Sequence, residues 1–225
     1  MSMKGFGAIV LCLLSLSAVA DPLWDKASSL IEASKSWRPI VTVTTSQDKD
    51  DKGMVKDSTV TTVRYGTDAS GGLTKQNIRV VKNGVEGKPD AVASATKAPA
   101  GPTDPLEASA RDFTKLWPPT NVVWKGREAA LYRYEFAPKS GWGLEGRIWI
   151  DKSTGIPFHR ESSLNPKPPF VDEAAFIQDS SWDTRGFVRD DRIDIQFAGS
   201  FLGLKKQLLL RSEVMEYGPN RTAAR

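Results

Sequence analysis

The sequence predicts a mainly β protein, one large curved antiparallel sheet accompanied by a single amphipathic helix at its amino-terminal end. Three observations carry this. From Ile40 to Tyr217 apolar residues recur with a period of two, the spacing of strands with one buried face. The strand-like segments are punctuated by Gly, Pro, Asn and Asp every roughly 10–15 residues, as strands joined by short turns require. Helical spacing is confined to the start of the chain and to one insertion.

Residues 1–20 read as a secretory signal peptide. Lys4 is the one charge of the leading segment, Ala8–Leu16 an apolar stretch, and Ala18-Val19-Ala20 a small-x-small cleavage site before Asp21. Cys12 leaves with the leader, and Leu11 before it is not the small residue that lipidation favours. The expected mature chain, residues 21–225, is exported to the periplasm of a bacterium and reads as a single domain.

In that chain Asp21-Pro22 is a cap followed by a first-turn proline. Leu23, Ala27, Leu30, Ile31 and Ala33 then recur at helical spacing up to Trp37, before Arg38-Pro39. Val41 and Val43 alternate with Thr42 and Thr44, Gln47–Gly53 is a polar turn, and Ser58–Tyr65 is a second strand. Ile78–Lys82 runs into Asn83-Gly84, a strong hairpin signal. Val85–Pro119, rich in Ala, Pro, Thr and Gly, is expected to form a long loop or lid with a short helix around Leu106–Leu116. Strands are expected at Asn121–Lys125, Leu131–Ala137, Leu144–Asp151, Ile156–Ser163, Ala174–Trp182, Val188–Ala198 and Lys205–Tyr217, ahead of a flexible tail, residues 220–225.

Composition excludes several chemistries. Loss of Lys4 takes the net charge from +4 to +3, which is not a nucleic-acid-binding excess. Without Cys12 there is no thiol for a disulfide, a Cys-ligated metal or a cysteine nucleophile, and one histidine cannot build a multi-histidine metal site. No cofactor is expected. No other apolar run approaches the roughly 20 residues of a membrane helix. At most, Lys205-Lys206 beside Leu208-Leu209-Leu210 would make a peripheral membrane contact.

The individual constellations point away from catalysis. His159 could pair with Glu161 or Asp151, and Ser162 or Ser163 could be imagined as nucleophile, but no nucleophile elbow or oxyanion pattern accompanies them, so a surface or cross-strand histidine is expected. Asp48–Gly53 has calcium-loop acids at its first and third positions but Lys52 at the fifth and Thr59 at the twelfth, and reads as a hairpin tip. Gly84-x-x-Gly87-Lys88 is too short for a phosphate loop, and Asp190-Asp191 alternate across a strand or occupy a turn.

Alternation within the strands is more informative. Leu144, Gly146, Ile148 and Ile150 share one face, against Glu145, Arg147, Trp149 and Asp151; Tyr132, Tyr134 and Phe136 oppose Leu131, Arg133 and Glu135. A sheet with one apolar face must close on itself or be covered, and the helix is its one strongly amphipathic cover. Tyr132, Tyr134, Phe136, Ile148 and Ile150 therefore line either an apolar cavity or the core under the helix.

Gly146-Arg147-Ile148-Trp149-Ile150-Asp151-Lys152-Ser153-Thr154-Gly155-Ile156-Pro157 resembles the Gly-x-x-Trp-(Ile/Leu)-Asp-x-x-Thr-Gly-x-Pro strand–turn–strand of the LolA/LolB-like superfamily. That superfamily includes outer-membrane lipoprotein-sorting proteins and related sigma-regulator sensors. Arg79–Gly84 and Gly199–Tyr217 resemble its Asn-Gly strand and closing strand pair. In the turn, Asp151 and Thr154 can satisfy backbone groups, Gly155 can take positive φ, and Pro157 restarts the next strand; Trp149 precedes it. The resemblance implies an unclosed antiparallel β-barrel wrapped around an amino-terminal helix, with an apolar concavity for a lipid or the acyl chains of a lipoprotein. The expected role is that of a non-enzymatic periplasmic carrier or chaperone in outer-membrane lipoprotein sorting. The alternative is a sensing module of the same fold, acting through an envelope protein partner. Arg38 and Arg64 are candidates for the family's strand-borne arginine beside the cavity.

Overall fold

The computed structural model describes residues 21–68, 72–89, 93–94, 103–139, 141–201 and 204–220. The leader with Cys12, residues 221–225 of the tail, and residues 90–92 and 95–102 of the insertion lie outside the described residues.

Pro22–Ser34 forms helix α1. The Asp21 carboxylate accepts hydrogen bonds from the backbone N–H groups of Leu23 (3.0 Å) and Trp24 (3.2 Å), and Pro22 stands where a missing N–H costs nothing. The helix ends at Ser34, before the expected Trp37. Pro39 drives the residue before it toward extended backbone, and Trp37 gains a ring stack with Phe187 at 4.7 Å by starting the first strand.

The strands are β1 (Trp37–Lys49), β2 (Val55–Thr67), β3 (Leu73–Lys82), β4 (Val85–Glu86), β5 (Ala93–Ser94), β6 (Thr114–Leu116), β7 (Thr120–Trp124), β8 (Arg127–Phe136), β9 (Leu144–Asp151), β10 (Pro157–Leu164), β11 (Val171–Asp183), β12 (Phe187–Phe201) and β13 (Leu204–Pro219). Among the described residues all belong to one antiparallel sheet, ordered β4-β3-β2-β1-β13-β12-β11-β10-β9-β8-β6, with β5 on β3 and β7 on β8. The first strand is paired to the last, yet the two edges do not meet. This is the unclosed barrel that the sequence predicts. Several strands outrun their expected bounds: β1 continues through Ser46, Gln47 and Asp48 because backbone pairing with β2 and β13 does not need apolar side chains. Asn83 and Gly84, at φ 50° and 81°, make the expected tight hairpin turn.

The described part of the insertion is not an open loop. A short 3-10 helix, Ala108–Phe113, follows Pro105 and Leu106, and Leu106 and Ala110 are wholly buried against α1 and the sheet. Glu32 accepts from the Ala108 N–H at 2.9 Å, and Lys35 pairs with Glu107 at 3.0 Å. Asn220 of the expected tail is tied to the end of the helix, donating its N–H to the Ser36 carbonyl at 2.7 Å. No helix among the described residues is long and apolar enough to cross a membrane.

Directly paired residues share a face, so the register traces continuous rows across the sheet. One runs Thr61, Thr44, Ser212, Ile193, Gln178, Arg160, Ile148, Tyr132; the next runs Thr59, Ser46, Leu210, Ile195, Phe176, Ser162, Gly146, Tyr134. This is the inner face. Its β8–β9 end lies under α1 and the 3-10 helix. There Tyr132, Tyr134, Phe136, Ile148 and Ile150 pack with Trp24, Ala27, Leu106 and Ala110, each large side chain contributing about 1.5–3 kcal/mol by burial. The Tyr132 hydroxyl also donates to the capping carboxylate of Asp21 at 2.7 Å, which pins the start of the helix to the sheet. Burial first, and this bond second, push the Tyr132 phenol above its usual range.

Candidate functional site on the inner face of the sheet

The expected cavity-lining residues thus fill the volume beneath the helix. Tyr132, Tyr134, Phe136, Ile148 and Ile150 are at most 2% exposed. The helix cannot cover the rest of the face. It runs from Tyr132 on β8, which is bonded to its cap, to the start of β12, where the Ser34 hydroxyl accepts from the Val188 N–H at 2.8 Å, and so crosses the sheet near one end of the strands. What remains uncovered is a half-buried apolar strip on β11, β12 and β13: Phe176, Ile193, Ile195, Phe197, Leu208 and Leu210. Across β13 it faces a hydroxyl-bearing strip on β1 and β2, Thr44, Ser46, Thr59 and Thr61, with the Thr44 hydroxyl donating to Ser212 at 3.2 Å. The alternation of Ile193, Ile195 and Phe197 with Arg192, Asp194 and Gln196 was legible in the sequence. The course of the helix, which meets β12 at Val188 and not along Ile193–Phe197, is what singles this strip out.

Polar groups divide this strip from the filled core. Arg160 forms a two-bond ion pair with Asp104, both bonds 2.9 Å, which fastens the segment before the 3-10 helix across the inner face. Beside it Asp190 accepts from Gln178 (2.6 Å) and Ser180 (2.9 Å); burial outweighs these bonds and pushes its carboxyl upward. At the other end, a cleft of about 990 Å³ opens between the hairpin tips, with Phe197 and Leu208 on its floor and Asp48, Asp57, Lys205 and Lys206 among its walls. This is within the size range of small-molecule sites.

The strand–turn–strand segment holds the helix. The Asp151 carboxylate accepts from the N–H and hydroxyl groups of Ser153 (3.0 and 2.7 Å) and Thr154 (2.8 and 2.9 Å), and from Arg127 at 2.5 Å. Burial opposes its ionisation, but these bonds prevail and keep it well below the usual carboxylate range. Gly155 takes φ 78° and lies under the aliphatic stem of Lys26, whose ammonium donates to the Ser153 carbonyl at 3.4 Å. Pro157 starts β10 opposite Ile150.

Trp149 points to the outer face. With Trp124 of β7 it encloses His159, ring centroids 4.9 and 5.0 Å away. His159 meets Asp179 at 2.6 Å and Glu161 at 3.4 Å. Asp151 is committed to Arg127, and Ser162 lies on the inner face. The strand thus separates the histidine from Ser162, while Ser163 shares the outer face with His159 but stands four residues along the strand and meets Glu145 at 3.5 Å. Glu161 and Asp179 are themselves held by Arg147 and Arg192, both at 2.6 Å. The imidazole sits at one end of a ladder of carboxylates and guanidiniums that continues through Asp194 to Arg211. In the expected hairpin tip, Asp50 accepts from the N–H groups of Lys52 and Met54, and no metal-ligand cluster occurs among the described residues.

Among solved structures, the chain is similar to a LolA superfamily protein from Nitrosomonas europaea, at 10% identity over 90% of this chain and 96% of that one, with a TM-score of 0.38. It is also similar to a domain described as an outer membrane lipoprotein-sorting protein from Vibrio parahaemolyticus, at 9% identity over 88% and 94% of the two chains, with a TM-score of 0.40. A third similarity is to the Pseudomonas aeruginosa MucA/MucB complex, at 11% identity over 88% and 99%, with a TM-score of 0.27. No protein-family model and no curated protein matches the chain.

Proposed function

We propose that the protein is a periplasmic carrier or chaperone that holds a lipid, or the acyl chains of a lipoprotein, along the open part of the inner face. The observation that carries this reading is the apolar strip of β11–β13, left half-buried beyond the polar groups that divide it from the core and away from the end of β12 that the helix meets. Burial of an acyl chain is worth about 0.8 kcal/mol per methylene, so such a surface needs no reactive group. The signal-like leader and the Gly146–Pro157 resemblance support an envelope role in lipoprotein sorting.

Titration with a fluorescent fatty acid tests the reading. Ile195→Asp places a carboxylate in the centre of the strip and is expected to weaken binding about 10-fold or more, with an unchanged circular dichroism spectrum. Phe176→Ser serves as a second variant where folding is in question. Equal affinity in parent and variants, or no binding by the parent, would overturn the proposal; capture of an envelope protein by a parent that binds no lipid would favour a sensing module instead.

A further inference from the structure

We infer that the cleft at the hairpin-tip end of the groove selects an amphiphile with a zwitterionic head, an ammonium beside a phosphate. The inference rests on the acyl-binding reading above and names the class of ligand. Asp48 and Asp57 are direct partners across β1 and β2 on the inner face. Like charges so placed destabilise a strand pair, so this arrangement has a cost that a bound cation would remove. The Asn83 amide donates to one Asp57 oxygen at 2.9 Å and leaves the other, while Asp50 is spent on its own turn. No ion pair engages Asp48, Asp51 or Asp57 among the described residues.

The opposite charge stands on the neighbouring strand. Asp48 pairs with Leu208 on β13, and Lys206, two residues along the same strand, shares that face. Diagonal neighbours of this kind lie about 7–8 Å apart, a gap that an aspartate and an extended lysine can close around an ethanolamine phosphate. Lys205 is exposed beside it. Lys49 and Lys56 also border the cleft, but alternation turns them to the outer face from Asp48 and Asp57. Carboxylates on β1 and β2, ammonium groups on the neighbouring β13, and Leu208 with Phe197 beside them on β13 and β12 match the head and the first methylenes of such a lipid, whereas a purely anionic head would leave the carboxylate pair uncompensated.

Binding of lysophosphatidylethanolamine and lysophosphatidylglycerol with the same acyl chain, measured by calorimetry on the purified protein, tests this. The parent is expected to prefer the ethanolamine lipid about 10-fold, and Asp48→Asn with Asp57→Asn to reduce the preference below about 2-fold. Lys206→Gln should weaken both lipids but not a monoacylglycerol, and Glu213→Gln on the outer face should change nothing. Equal binding of the two lipids by the parent, or a preference that survives the double replacement, overturns the headgroup inference and leaves the acyl site standing. Binding of neither lipid overturns both.

Discussion

Replacing Gly146 with alanine is expected to destabilise the protein by about 3 kcal/mol or more. A methyl group there would collide with the carbonyl oxygen of Glu161 and lie 2.9 Å from both the Ser162 Cα and the Tyr134 hydroxyl. Two of these three obstacles are backbone of the neighbouring strand, so relief requires parting β9 from β10 in the middle of the sheet. Gly155→Ala is the informative contrast. Its φ of 78° makes a side chain costly, but the atoms it would meet belong to the flexible stem of Lys26, and a loss of about 1–2 kcal/mol is expected. Urea denaturation distinguishes the two. A Gly146→Ala midpoint within error of the parent would show that β10 does not press on β9 as described.

Removing the Asp104 carboxylate is the other severe change. Asp104→Ala leaves the Arg160 guanidinium, whose side chain is only 13% exposed, without its two-bond partner, and breaking a buried pair from one side costs about 3–5 kcal/mol. It also frees the Leu106 N–H, which Asp104 accepts at 2.8 Å, and so loosens the segment that carries Leu106 into the core. The double replacement Asp104→Leu with Arg160→Met removes both charges and should recover most of the loss, because the penalty comes from an orphaned cation more than from a missing attraction. If the double variant is no more stable than Asp104→Ala, the pair's role is that of a specific tether. Thermal and urea unfolding of the three proteins decide it.

These two sites show where sequence reasoning reaches and where it stops. The strand alternation placed Gly146 with Ile148 and Tyr134 with Phe136 on one face, and the register agrees. Arg160 with Asp104 was not foreseeable, since 56 residues separate them and no periodicity links an insertion to a strand. The helix was legible from its cap and proline, but its end was not, because Trp37 fits the helical spacing and is claimed by Phe187 from far along the chain. Of the two readings of His159, surface or cross-strand, the structure gives a buried cross-strand residue, and Asp179 could not be named as its partner without the β10–β11 register. Most consequential was the open strip. Ile193, Ile195 and Phe197 alternate as plainly as Tyr132, Tyr134 and Phe136, and only the course of the helix over the sheet shows which of the two sets it covers.

The central claim, that an acyl chain lies along β11–β13, is tested most directly by a fatty acid carrying a photoactivatable group at its methyl end, crosslinked to the protein and located by peptide mapping. The account predicts labelling within Val171–Asp183, Phe187–Phe201 and Leu204–Pro219, competed by unlabelled fatty acid and lost in Ile195→Asp. Labelling confined to the edge strand β7, or labelling that unlabelled fatty acid does not compete, would contradict it.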